Sequence, residues 1–143
     1  MQALFDVNLL IAMFQPDHTH YQRAHEWWRV NQTAGWASCP LTQNGFVRIL
    51  SQPKFPKPMS VDGAIALLQI VTSADEHSFW PDDISLTDPQ LFDHTNILGP
   101  KQLTDIYLLA LAVKNGGRLA TFDRAIPLAA VRGAEPRHVV VII

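Results

Sequence analysis

The sequence predicts one α/β domain spanning residues 1–143, with a mainly parallel central sheet and helices on both faces. Three observations carry that expectation. Short apolar stretches alternate with longer helical patterns along the whole chain, the signature of βαβ units. Those stretches are apolar at successive positions, as strands covered on both faces must be. The run Leu103-Thr104-Asp105-Ile106-Tyr107-Leu108-Leu109-Ala110-Leu111-Ala112-Val113 is apolar nearly all round, so it is a helix buried over most of its surface.

Taken in order, Ala3-Leu4-Phe5 is a first strand, Asp6-Val7-Asn8 a turn, and Leu9–Phe14 a buried helix. Gln15-Pro16-Asp17 ends that helix, because proline cannot continue one. His18 to Val30 forms the next, with Tyr21, Ala24 and Trp28 on one face. Gly35–Cys39 reads as a second strand closed by Pro40, and Thr42 as the cap of a helix over Gln43–Leu50. Ser51–Pro58, rich in proline, is a loop. Ser60 caps a helix reaching Ser73, with Val61, Ala64, Ile65, Leu68 and Val71 turned inward. Ser78-Phe79-Trp80 is a third strand, and Asp88-Pro89 is a helix start, an acid followed by proline at the first helical position. Leu98–Lys101 is a loop leading to the long apolar helix. Thr104 caps that helix and Asn115-Gly116-Gly117 supplies the left-handed residue that ends it. Arg118–Phe122 is a strand, and Asp123 follows it. After an irregular stretch, the β-branched run His138–Ile143 closes the sheet.

Composition narrows the function classes. With 48% hydrophobic and 17% charged residues the chain is globular, not disordered. A net charge of −2, from 11 basic and 13 acidic residues, excludes a global cationic field. Any nucleic acid must then be held by a local patch. No apolar run approaches the ~20 residues that span a bilayer, and no basic leader precedes the first strand, so neither a membrane span nor a cleaved signal peptide is expected. Cys39 is the single cysteine; it excludes an internal disulfide and fits a reducing cytoplasm.

The chemistry points to three acids. Asp6 and Asp123 each follow an apolar strand, and Asp105 sits in the first turn of the long helix. In open α/β sheets ligands collect outside the carboxyl ends of the strands. Taken singly, each acid is equally a turn former or a residue matched to a helix dipole. Together they form a cluster of carboxylates that repel one another and require a cation. An all-oxygen set suits Mg²⁺ or Mn²⁺, which can orient a water for in-line attack on a phosphodiester. Arg48, Lys54, Lys57, Lys101 and Arg124 are the basic residues that could hold phosphates beside that pocket. His18, His20 and His25 do not have the spacing of a zinc site. Trp27 and Trp28 could stack bases or serve a core or a dimer interface.

Leu4-Phe5-Asp6-Val7-Asn8, Gly35-Trp36-Ala37-Ser38-Cys39-Pro40-Leu41-Thr42, Leu103–Ala112 and Leu119-Ala120-Thr121-Phe122-Asp123 resemble the PIN-domain fold. Within that family the likeness is to the VapC-type toxin ribonucleases, and it covers nearly the whole chain. The resemblance implies a Mg²⁺- or Mn²⁺-dependent endoribonuclease that is cytoplasmic, commonly homodimeric and neutralised by a VapB-like antitoxin. Its substrate would be RNA, with tRNA a first class to test. Asp6, Asp105 and Asp123 match the family's metal-binding acids; Asn8 and Thr121 match polar positions that support them. Arg48, Lys101 and Arg124 are the expected RNA contacts. Gln43 stands where most of the family has Glu. Two readings follow: a working nuclease with Gln43 among its catalytic residues, or a catalytically impaired PIN module that binds RNA or antitoxin without cutting. A metal-dependent phosphatase fits less well, because Asn8 occupies the second acid position of an Asp-x-Asp motif. On sequence alone Gln43→Glu leaves the fold undisturbed, since the two residues have similar helix propensity.

Overall fold

In the computed structural model, which describes residues 1–143, the strands are β1 (Ala3–Phe5), β2 (Trp36–Ser38), β3 (His77–Phe79), β4 (Arg118–Thr121) and β5 (Val139–Val141). They form one sheet in the order β3-β2-β1-β4-β5, and every pairing is parallel. The chain builds outward from β1 in one direction through β2 and β3. It then crosses back to lay β4 on the other side of β1. The reversal puts the topological switch between β1 and β4, where α/β sheets open a crevice at their carboxyl ends. Asp6 follows β1 and Asp123 lies two residues beyond β4.

Successive strand residues point to opposite faces. Ala3 and Phe5 join a core with α1 (Val7–Phe14), α2 (Tyr21–Asn31), α3 (Pro40–Leu50) and α4 (Val61–Thr72), while Leu4 joins a second core with α5 (Leu103–Lys114). In the first core Phe5 stacks on Trp36, with ring centroids 5.0 Å apart, and meets Trp27 and Trp28 edge-on. The paired tryptophans are therefore packing residues. In the second, Ile106, Leu108, Leu109 and Leu111 are fully buried, each contributing roughly 1.5–3 kcal/mol of hydrophobic stabilisation. That burial makes α5 the most enclosed helix, as its composition requires. Gly116, at φ +67°, supplies the left-handed residue that ends it.

Several element boundaries differ from expectation, each for a local reason. The first helix begins at Val7, because Asp6 is its cap: the Asp6 carboxylate accepts from the Leu9 N–H at 2.8 Å. The third begins at Pro40, with Cys39 as cap residue. Thr42 is one turn inside, its hydroxyl accepting from the Cys39 N–H at 3.0 Å. Proline's fixed φ favours the first helical position and moves the start forward. No helix follows Asp88-Pro89. The Asp88 carboxylate turns back to the Gln90 N–H, and Phe92 is captured by a bridge to Val131 and by the second core. Tertiary pairing overrides the local start signal. A 3-10 turn over Pro100–Gln102 leads directly into α5, so Thr104 lies within the helix instead of capping it. The outer strands are shorter or shifted: β3 is His77–Phe79 and β5 is Val139–Val141. On α4, Val61 and Ile65 face outward and Ala64 is the buried contact. Alanine lets α4 approach α3 more closely than a larger side chain would.

Candidate active site

Asp6, Asp105 and Thr121 meet at the carboxyl edge of β1 and β4. Asp6 is almost wholly buried, at 6% exposure, and it is placed by main chain. It ends β1 and caps α1, so one carboxylate oxygen serves the Leu9 N–H. Its other oxygen accepts from the Thr121 hydroxyl. That hydroxyl in turn accepts from the Asp123 N–H at 3.0 Å, and the Asp123 carboxylate turns to the Ala125 N–H at 2.8 Å. Thr121 thus ties the turn after β4 to the carboxylate after β1.

Asp105 projects from the first turn of α5 into a cleft it shares with Asp6, Val7, Asn8, Arg48, Ile49 and Thr104. Burial pushes its carboxyl up to about 7, with the charges of Asp6 and Asp123 adding to the rise. Burial likewise raises Asp6 to about 6, against the lowering effect of the Thr121 and Leu9 hydrogen bonds. The ion pairs of the chain are Lys57–Asp17, Lys114–Asp83 and Arg137–Glu135, so no basic side chain neutralises any of the three acids. Asp6 and Asp105, sunk in the cleft, and the exposed Asp123 beside them repel one another without a paired counter-charge, and such a set suits a hard divalent cation. As the side chains stand, no three acidic, His or Cys groups form a finished cation cage. The donor set fits the ion in its chemistry, with Asp6 and Asp105 in the cleft and Asp123 beside them.

The residues expected around this cluster divide. Arg48 lines the cleft. Lys101, in the 3-10 turn before α5, and Arg124, beside Asp123, are exposed outside that lining. Lys57 is engaged with Asp17. Asn8 is exposed at the cleft's edge. Cys39 is fully buried and its thiol is pushed up to about 11 by that burial, which leaves it a packing residue, not a nucleophile.

Gln43 does not line the acid cleft. Its amide Nε2 donates to the Ser38 hydroxyl at 2.9 Å, and that oxygen lies 2.8 Å from His77 Nε2. Ser38, fully buried at the end of β2, therefore takes one proton and has one to give. In the tautomer with the ring proton on Nδ1, the imidazole Nε2 is its acceptor. Burial holds His77 below the usual imidazole range, while the Thr72 carbonyl favours a ring proton, which falls on Nδ1 because Nε2 accepts from Ser38. The result is a neutral relay, Gln43 to Ser38 to His77, across the sheet edge beside the acids. No spacing rule in the sequence signals it, since the Ser38 and His77 partners belong to different strands.

The PIN-domain family model matches residues 3–132. The chain belongs to the PIN-domain family. Among relatives, it is 49% identical over 138 residues to ribonuclease VapC44 of Mycobacterium tuberculosis, covering 96% of this chain and 97% of that one. It is 42% identical over 125 residues to ribonuclease VapC38 of the same organism, covering 87% of this chain and 86% of that one. A solved structure of VapBC2 from Rickettsia felis, bound to a promoter DNA fragment, shares the fold with a TM-score of 0.59 at 14% identity, covering 86% and 89% of the two chains. This PIN domain therefore falls with the VapC-type toxin ribonucleases, and its all-parallel five-stranded sheet is that family's architecture.

Proposed function

We propose that this chain is the toxin of a type II toxin–antitoxin pair and cleaves RNA phosphodiester bonds at the cleft between β1 and β4. The observation that supports the reading is the cleft shared by Asp6 and Asp105 at the topological switch of a PIN domain, with the charge of Asp123 felt by both and no basic group paired to any of the three. Asp6 and Asp105 are the first metal ligands and Asp123 the third, with the ion Mg²⁺ or Mn²⁺. A divalent cation held there supplies positive charge against the phosphoryl oxygens and a water made acidic enough to attack. Thr121 holds the Asp6 carboxylate in place, and Arg48 offers a charge to an RNA phosphate at the cleft wall. Gln43 bears on the site from its rim, as a neutral group anchored to Ser38. It neither adds a ligand charge nor takes a proton.

The cellular setting follows from the same family reading: a cytoplasmic RNA substrate such as tRNA, a VapB-like antitoxin and a homodimer. No helix is long and apolar enough to cross a membrane. The outward Val61, Ile65 and Ile70 of α4, the last at 69% exposure, are an apolar strip that a self-complementary dimer contact would cover.

The test is incubation of the chain with total RNA in Mn²⁺, in Mg²⁺ and in chelator, with the new ends mapped. Attack by water leaves a 5′-phosphate and a 3′-hydroxyl. Discrete fragments with those ends, absent in chelator, are expected. RNA left intact under every metal condition, together with tight RNA binding, would select the impaired-module reading instead.

A further inference from the structure

A second cleft, lined by Asn8, His18, Thr19, His20 and Phe122, adjoins the acid cleft. Asn8 lines both, and Phe122 stands between Thr121 and Asp123 in the chain. The two clefts therefore adjoin at Asn8. We propose that this second cleft is a nucleotide subsite, holding the residue of a single RNA strand next to the phosphodiester in the acid cleft. The proposal rests on the nuclease reading above and extends it to how the strand is held.

The walls have the chemistry of a base and a phosphate. The His20 ring lies against Phe122, with centroids 4.9 Å apart, and the Arg23 guanidinium carbon sits 4.6 Å from the same ring centre. Aromatic and guanidinium planes of this kind are what unpaired bases stack on. The His18 Nδ1 accepts from the His20 backbone N–H at 3.0 Å. In the neutral ring the proton is then on Nε2, and no group of the protein accepts it. Arg23 Nε is buried without a hydrogen-bond partner. Neither histidine nor the arginine belongs to any of the three ion pairs.

His18 Nε2 and the Arg23 guanidinium are donors with no acid paired to them, and they lack a charged acceptor. An RNA phosphate satisfies that need, with His18 and Arg23 as its contacts, while the base lies on His20. The contrast with the neighbouring cleft is useful in itself: acids where a cation and the scissile bond belong, unpaired donors where the next phosphate belongs.

The experiment has two readouts so that this inference and the nuclease reading fail separately. Fluorescence anisotropy in chelator measures binding of a short, mixed-sequence single-stranded RNA to wild type, His20→Ala, His20→Phe and the double variant His18→Ala/Arg23→Gln. Loss of a stacking base or a phosphate contact is worth about ten-fold in affinity or more. His20→Ala and the double variant are expected to bind about ten-fold more weakly, and His20→Phe to rescue. The double variant should also lose about one unit of salt slope. Circular dichroism melts of each variant establish folding, and the Mn²⁺-induced rise in melting temperature should match wild type. Wild-type RNA affinity in both His20→Ala and the double variant overturns the subsite even if the chain cuts RNA. Weakened binding in both, with no cutting by wild type, keeps the subsite and rejects the nuclease.

Discussion

Replacing Gln43 with Glu tests the relay at the sheet edge, because a carboxylate reverses its polarity. Gln43 donates to Ser38; the carboxylate of Gln43→Glu can only accept, so the Ser38 hydroxyl must turn toward it. His77 Nε2, 2.8 Å from that oxygen, then has to donate. It can do so by giving up its Nδ1 proton and the Thr72 carbonyl, or by becoming an imidazolium. At alkaline pH the first route leaves a backbone carbonyl short of a partner, at a cost of roughly 1–2 kcal/mol, about 3–6 °C in melting temperature for a domain of this size. At lower pH the imidazolium is stabilised by the introduced carboxylate. A histidine whose folded pKa is raised adds stability that is full below its unfolded value near 6.5 and is lost as pH rises through the folded value. In wild type the sign is opposite, because burial lowers His77 and acidification costs stability. The melting temperature of Gln43→Glu should therefore fall below wild type at pH 8 and reach or exceed it near pH 5.5. NMR titration of His77 should show its pKa moving up in the variant. An unchanged His77 titration and superimposed pH–stability curves would refute the reasoning, and would mean that Gln43 meets Ser38 with its carbonyl.

Three further outcomes are expected. The raised Asp6 and Asp105 carboxyls, at about 6 and about 7, bind protons more tightly folded than unfolded, so their contribution to stability falls as pH rises from about 4 to 7. In chelator Asp105→Asn should then melt a few degrees above wild type at pH 8 and close to it at pH 5, while losing the Mn²⁺-induced rise; a variant less stable at pH 8 would count against the repulsion. Thr121→Val removes the hydroxyl that serves both Asp6 and the Asp123 N–H, costing about 1–3 kcal/mol in urea unfolding and letting the Asp6 pKa rise further. Gly45→Ala puts a methyl 2.8 Å from Val7 Cγ2 where α3 crosses α1. It should destabilise by about 1–3 kcal/mol and slow RNA cleavage, since α3 carries Arg48 to the cleft.

Much of the fold was legible because it depends on period and punctuation. The all-round apolar α5, its glycine stop and the non-alternating strands are each local; α5 and the inner strands stand where the sequence places them, and the outer strands β3 and β5 are shifted or shorter. The strand order was not legible. Nothing in Arg118–Thr121 says that it pairs with Ala3–Phe5 and not with His77–Phe79, yet that pairing creates the crevice beside Asp6. Proline misled once: Asp88-Pro89 carries a start signal whose helix is forestalled by Phe92 entering the second core. At the site, the three acids could be read from their positions at element ends. The cap duty of Asp6 was hidden, because only the structure shows its carboxylate turned onto Leu9. Gln43 was legible as a departure from its family but not as a donor. The consequence drawn from helix propensity, that Glu would leave the fold undisturbed, misses the tertiary partners Ser38 and His77. His18 and His20 were weighed as zinc ligands and set aside. Their relation to Phe122 spans most of the chain and leaves no spacing to read.

The most direct test of the account is the Mn²⁺ dependence of the single-turnover rate of RNA cleavage by wild type and Asp105→Asn, both shown to be folded. Wild type should cut with a rate that saturates in Mn²⁺ and vanishes in chelator. Asp105→Asn should need more Mn²⁺ and cut at least about 100-fold more slowly at any fixed concentration, the scale of losing a metal-site group. Cleavage by Asp105→Asn at the wild-type rate, or by wild type in chelator, would contradict a metal-dependent nuclease built on these acids.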